Sequence, residues 1–391
     1  MLRTRLLLPL ALCLGTSALV VTPASAQAQT DAVGYQEYEA VYQDEEPAWH
    51  FSPVGYVRTG VQLTQRDDDV DFIGRNNGFY IAHARLGLNG RHDDAGVSFR
   101  LSFDGALDSD RSDVNTPEGS LEVGLRDAYI RYAPGVIALQ LGQFKAPFTR
   151  ESMRSTGRLP FINRSVGEAG IAVGTGYELP GLNVSRQQGL MLSTDGVLEA
   201  GLVYLAAYAM VANGSGSNDT LNDNSRFGFF ARGQVGFLDI VTLGLSGHLN
   251  DRTVDRFIKE DRTWAVDVNV HWIDFDFYAE YISQITRCPT TGTQRRLSQA
   301  FSAQLNYGIA IGEFMLTPGY RFATFNPSVE AESPPGEPVL RGVNTHTIAL
   351  QGSTDLDSAE LGLQLEYIIM GEDDGREVDN NIFQALARVA F

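Results

Sequence analysis

Apolar and polar residues alternate one by one along most of this chain, in segments of nearly constant length. That pattern confines it to β-strands with one greasy and one wetted face. In 82–89, Ala82, Ala84, Leu86 and Leu88 alternate with His83, Arg85, Gly87 and Asn89. In 97–104, Val97, Phe99, Leu101 and Phe103 oppose Ser98, Arg100, Ser102 and Asp104. The same period recurs near the C-terminus, where Leu361, Leu363, Leu365, Tyr367 and Ile369 flank Gln364 and Glu366. Sixteen such segments are legible: 54–65, 79–90, 95–106, 121–133, 136–146, 187–195, 197–212, 224–236, 239–250, 262–273, 274–285, 297–311, 313–324, 342–353, 358–370 and 381–391.

The connections between them sort by length. Tight turns are expected at 91–94, 134–135, 195–196, 237–238, 273–274, 312 and 354–357. Long loops fall between them, at 66–78, 107–120, 147–186, 213–223, 251–261, 286–296, 325–341 and 371–380. Strict alternation of long and short connections gives an even-stranded up-and-down meander with both termini at the short-turn end. That is the plan of a transmembrane barrel. A soluble sandwich also shows period two, but has no reason to sort its loops in this way. Aromatic residues at strand ends, among them Trp264, Trp272, Phe275, Phe277, Phe314, Tyr320 and Phe322, suit interfacial girdles. The expected fold is all-β: a 16-stranded antiparallel transmembrane β-barrel with a long third loop folded inward.

The N-terminus reads as an export signal. Arg3 and Arg5 precede the apolar run 6–14, and Ala24-Ser25-Ala26 offers a cleavage site. Residues 1–26 are therefore assigned to a signal peptide, 27–52 to an acidic extension and 53–391 to the barrel. The extension carries Asp31, Glu37, Glu39, Asp44, Glu45 and Glu46 and no cation. Once the signal is removed, Cys288 is the sole cysteine and no internal disulfide can form. No later stretch supplies the ~20 apolar residues of a spanning helix. Export combined with amphipathic strands points to the outer membrane of a Gram-negative bacterium, with lipid and lipopolysaccharide as neighbours. No cofactor, metal or nucleic-acid partner is expected.

The segment 147–186 departs from the chain's charge balance. From Lys145 to Arg186 there are six cations, Lys145, Arg150, Arg154, Arg158, Arg164 and Arg186, against Glu151, Glu168 and Glu178. The local balance is +3 in a chain of formal charge −18. A connection of that length inside a compact domain is functional or disordered, and this one interleaves its cations with Phe148, Phe161 and Tyr177. Strand parity adds Arg58, Arg85, Arg100, Arg131, Arg226 and Arg232, with Asp104 and Asp127, to the lumen wall of the first half, and Asp267, Asp276, Glu280, Glu360 and Glu366, with Arg321 and Arg388, to the later strands. Rows of Arg select anions in pores, and low-dielectric walls focus their field. The guanidinium fork also suits phosphate-like oxyanions. A passive channel favouring small anions is the leading expectation. A non-selective or mildly cation-preferring channel fits the acidic total, and a barrel enzyme is the remote alternative, since no Ser-His-Asp grouping is legible from spacing.

Several runs carry a family likeness. ARLGLNG (84–90), SFRLSFDGA (98–106), LRDAYIRY (125–132), LGQFKAPFTRES (141–152), LPFINRS (159–165) and the terminal ALARVAF (385–391) resemble the phosphate-selective porin O/P family in order and spacing. The resemblance implies a sixteen-stranded outer-membrane barrel, trimeric, with an inserted third loop and passive, anion-favouring diffusion. It also implies that Lys145, Arg150, Arg154, Arg158 and Arg164, which occupy the matching stretch, belong to the constriction.

Overall fold

A computed structural model describes residues 49–75, 77–108, 120–172, 174–196, 198–216, 221–254, 257–288, 293–329, 342–373 and 377–391. The expected signal peptide, 1–26, and nearly all of the expected acidic extension, 27–52, lie outside these residues. Sixteen antiparallel strands close into a barrel. They are β1 (Trp49–Thr64), β2 (Gly78–His92), β3 (Val97–Asp108), β4 (Ser120–Tyr132) and β5 (Ile137–Lys145). Next come β6 (Arg186–Thr194, resuming at Leu198–Ala200), β7 (Val203–Ala212), β8 (Gly228–Phe237), β9 (Val241–Val254) and β10 (Phe257–Trp272). The circuit is completed by β11 (Phe275–Cys288), β12 (Thr293–Tyr307, resuming at Ile309–Ile311), β13 (Phe314–Asn326), β14 (Val343–Leu356), β15 (Ala359–Glu372) and β16 (Ile382–Ala390). Each strand pairs with its sequence neighbours, and β1 closes on β16 from Tyr56↔Ala390 to Thr64↔Ile382. Closure leaves no sheet edge, which a strand surrounded by hydrocarbon requires.

The period-two pattern becomes two surfaces. In β8 the outward residues Phe229, Ala231, Gly233, Val235 and Phe237 are exposed, while Phe230, Arg232 and Gln234 between them are buried inside. In β9 Leu245 is 61 % exposed and points outward, while Ser246 and His248 are buried on the lumen side. An apolar band continuing around the whole cylinder has no stable place in water. Trp49, Phe51 and Phe99 cluster on the outside at the short-turn end. Trp272, Phe314 and Phe391 are exposed at that end as well. Such placement matches an interfacial aromatic girdle. Trp264 corrects the sequence reading: it faces outward midway along β10, opposite Gly247, and not at a strand end.

Other boundaries also differ from expectation. Strand β1 begins at Trp49, so 49–52 pair with β2 and belong to the barrel. Asp195-Gly196 does not make the β6–β7 hairpin. Gly196, with φ 71°, interrupts β6, and the strand resumes until Gly201, whose φ of 69° makes the real reversal before Val203 pairs with Ala200. Two glycines in the left-handed region competed for one turn, and an Asp-Gly pair is the stronger local signal. The expected long loops 251–261 and 286–296 are largely strand. The β9–β10 ladder runs on to Val254↔Phe257, and β11–β12 reaches Cys288↔Thr293. Cross-strand pairs Arg252–Asp261 at 2.7 Å and Arg262–Asp251 at 2.8 Å reinforce the first of these beyond the apolar band.

Candidate functional site

After β5 the chain turns into the lumen and returns at β6. Thr149 caps the first short helix, α1 (Arg150–Met153), by accepting from the Ser152 amide at 3.0 Å. A 3-10 turn, Thr156–Arg158, and a second short helix, α2 (Val166–Ala169), follow. The loop lands on an apolar patch inside the barrel. Phe148, Val166, Ile171, Leu179 and Leu182 pack against Ala265 of β10, Ile282 of β11, Ala300 of β12, and Ala323 and Phe325 of β13. Gly167 permits this approach, because a Cβ there would stand 2.3 Å from the Ala300 Cβ. The landing patch is a local break in the polar-inside pattern, and that break is its sequence signature.

A loop crossing a lumen carries carbonyl groups with no ladder to pair them, and buried ones must find donors. The wall supplies guanidinium groups. Arg58 of β1, 1 % exposed, donates to the carbonyls of Thr156 at 3.0 Å and Ile162 at 2.9 Å. Arg232 of β8 donates to the Phe148 carbonyl at 2.8 Å while forking onto Asp267 at 2.6 and 2.9 Å. Arg321 of β13 reaches the Asn163 carbonyl at 2.8 Å and lies over the Phe161 ring. Gln364 of β15 donates to Leu159, and Arg388 of β16 to Gly157. Lys145 turns its ammonium onto the carbonyls of Ser152, Met153 and Arg154, where α1 ends.

Beneath the loop, on the short-turn side, a cavity of 340 Å³ opens between the loop and strands β1, β2, β3, β14, β15 and β16. Arg85, Arg100, Arg154, Arg158 and Arg388 line it, with Asp355 and Glu360. An adjoining pocket of 80 Å³ shares Arg85 and Arg100 and adds Lys145, Arg186 and Asp127. Together the linings hold seven cations, Arg85, Arg100, Arg154, Arg158, Arg388, Lys145 and Arg186, against Asp127, Asp355 and Glu360, a balance of +4. Several of these cations are paired. Arg85 meets Asp104 at 2.8 Å, Arg186 meets Asp127 at 2.8 Å, and Arg388 meets Glu360. Arg100 stands 3.7 Å from an Asp127 that Arg186 already holds. Arg158 is exposed, and its guanidinium has no partner among the described residues.

Of the residues singled out in the sequence, Arg85, Arg100, Arg154 and Arg158 therefore converge on one chamber, with Lys145 at its margin. Arg58 and Arg232 are sealed between wall and loop. Arg150 is buried in α1, and Arg164 donates to the Arg154 carbonyl at 2.7 Å within the loop. Arg131 binds Asp195 near the short-turn rim. Arg226 sits just before β8 at the long-loop rim, bound to Asp251 and Glu260. The basic and acidic halves of the wall do not stay apart: Arg232 draws the later-strand Asp267 onto a first-half arginine, and within the later strands Glu360 is held by Arg388. Sequence reading left out Arg186 and Arg388 as chamber residues. Parity places Arg388 inside, but nothing local shows it reaching the loop.

The model of the family described as phosphate-selective porin O and P matches residues 56–258. No curated protein matches the chain. Among solved structures, the anion-selective porin of Comamonas acidovorans superposes with a TM-score of 0.57 at 12 % identity, covering 88 % of this chain and 100 % of that one. The outer membrane channel DcaP of Acinetobacter baumannii gives 0.57 at 12 % identity, covering 88 % and 98 %. Salmonella typhi OmpF gives 0.57 at 13 % identity, covering 87 % and 97 %. At such identities the likeness is one of fold, and the family match carries the assignment. The chain belongs to the phosphate-selective porin O and P family and is a porin of a Gram-negative outer membrane.

Proposed function

We propose that small hydrophilic anions, phosphate-like oxyanions among them, pass this porin by passive diffusion in preference to cations. The observation that supports this most is the +4 balance of the chamber beneath the loop in a chain whose total charge is −18. The proposed route past the loop runs through that chamber. Arg100, Arg154 and Arg158 are the groups proposed to meet them, and Arg85, Arg186 and Arg388 add a fixed positive background partly offset by their acids. Arg58, Arg232, Arg150, Arg164 and Lys145 serve by holding the loop in place. Arg131 and Arg226, at opposite rims, act at most on approach. No chemical step is part of this reading.

The test is a reversal potential across a planar bilayer in a potassium chloride gradient. Anion preference is the expected result, and it weakens as salt rises, because the Debye length contracts from about 10 Å at 0.1 M to about 3 Å at 1 M. Preference for potassium would overturn the selectivity and support the alternative of a general, mildly cation-preferring channel. Assembly into a homotrimer in a lipopolysaccharide-containing membrane belongs to the same proposal. Light scattering of the detergent-extracted protein should give a protein mass of three mature chains, and a one-chain mass would refute it.

A further inference from the structure

Loop and wall meet at a second polar junction, whose carboxylates do not line the cationic chamber. Glu151 of α1, Glu168 of α2 and Glu280 of β11 are all buried, and their carboxylate oxygens lie within 4.8 Å of one another. Donors are unevenly shared among them. Glu151 accepts from the Ser165 amide at 3.1 Å and from the Ser165 hydroxyl at 2.8 Å. Glu280 accepts from the Tyr278 hydroxyl at 2.5 Å, and the Ser165 and Ser302 hydroxyls lie at 3.3 and 3.4 Å. Glu168 has only the Thr149 hydroxyl, on one oxygen, and its other oxygen makes no hydrogen bond. The cations facing the cluster stand back: Arg164 is 3.6 Å from Glu168, and Arg321 is 3.6 Å from Glu151. Lys145 from β5 acts on Glu168 from farther away, and Asp267, held by Arg232, adds negative charge beside Tyr278.

Three buried carboxylates served by two displaced guanidinium groups cannot all be ionised while they touch. We propose that Glu151, Glu168 and Glu280 form a proton-operated latch: with a proton held among them α1 and α2 stay seated on the wall, and with it lost to water the loop lifts and the lumen widens. Glu168, on the loop itself, is one of the groups that hold the proton. Burial first, and the charge of Glu151 second, push its carboxyl up to about 7 from an ordinary 4.5. An acid whose pKa is raised in the seated state favours that state at low pH and releases it as pH rises. The window therefore runs from about 4.5 to about 7, and the opening equilibrium grows about tenfold per pH unit within it and levels off above. The inference rests on the porin reading only for its consequence, a wider lumen.

Amide hydrogen exchange of loop peptides covering 150–169, on the intact protein in detergent micelles between pH 5 and 8.5, tests the latch. After correction for intrinsic base catalysis, exchange should accelerate by about tenfold per pH unit up to pH 7 and then flatten. Glu168→Gln, which cannot lose a proton, should remain protected throughout. Bilayer conductance of the wild type should rise over the same window, while the variant stays at the acid-form level. Wild-type loop exchange that follows only the intrinsic rate overturns the latch, as does an unchanged profile in Glu168→Gln. If the variant does not fold, the wild-type profile alone decides. Conductance with a flat exchange profile sinks the latch and leaves the porin standing. Absence of any conductance sinks the porin reading, and the exchange profile still decides the latch.

Discussion

Replacing Arg100, Arg154 and Arg158 together by Gln lowers the chloride-over-potassium permeability ratio by about a hundredfold and brings it near or below unity. The size follows from distance and screening. A unit charge about 8 Å from a passing ion, in a water-filled but wall-bounded chamber of effective dielectric about 40, contributes about 1 kcal/mol. Three such charges give about 3 kcal/mol before screening, and 0.1 M salt with its Debye length of about 10 Å removes roughly half. What remains is near the 1.4 kcal/mol that corresponds to a factor of ten for chloride, and potassium shifts by the same factor the other way, so the ratio moves by about a hundredfold. Of the chamber's other cations, Arg85, Arg186 and Arg388 have carboxylate partners in Asp104, Asp127 and Glu360, and Lys145 is turned onto loop carbonyls. Once the three are gone, the remaining lining is close to neutral in its effect on an ion. Reversal potentials of wild type and variant in the same gradient give the ratio directly. An unchanged ratio would mean that selectivity is set elsewhere, for instance at the rim where Arg226 lies.

The second large effect is expected from Gly167→Val. The Cβ of any side chain at 167 would sit 2.3 Å from the Ala300 methyl group, and Ala300 belongs to the rigid ladder of β12. The loop must therefore move. Overpacking of this kind costs about 1–3 kcal/mol, all of it charged to the seated loop and none to the barrel, so the seated population falls by about five- to a hundredfold relative to the released one. Single-channel conductance should increase and anion preference should decline, because the chamber loses its roof. Limited proteolysis within 150–169 should accelerate while the barrel stays folded by its heat-dependent gel mobility. Wild-type conductance and wild-type protease resistance in this variant would show that α2 does not seat on Ala300 in the membrane.

Barrel architecture was legible because a membrane asks the same thing of every strand. Each must present an apolar outer face, so parity repeats sixteen times and loop lengths sort by side. Where local chemistry rivalled that demand, the boundaries slipped. Gly196 looked like a turn because Asp-Gly signals one, yet Gly201 five residues later supplies the same backbone freedom and closes the hairpin. The strand past 250 looked like a loop because it is charged, and pairing across the ladder made charge compatible with strand. Parity also told which arginines face inward, but could not tell a pore-facing arginine from a pinning one. Arg58 and Arg100 read alike in sequence. They differ because Arg58 lies under Thr156 and Ile162, a contact made across about a hundred residues. Apolar residues at inward positions, Ala265, Ile282, Ala300 and Ala323, were the one local clue to where the loop sits.

The guanidinium groups that hold the loop come from β8 on one side of the barrel and from β13 and the adjacent pair β16 and β1 on the other. A cylinder of hydrogen-bonded strands is stiff along its axis but can flatten sideways under lateral bilayer pressure. A segment fastened to well-separated staves acts as a cross-brace against that flattening. Cutting the loop out would then do more than enlarge the bore: the cross-section would be free to ovalise, and current through the emptied channel would fluctuate with membrane tension.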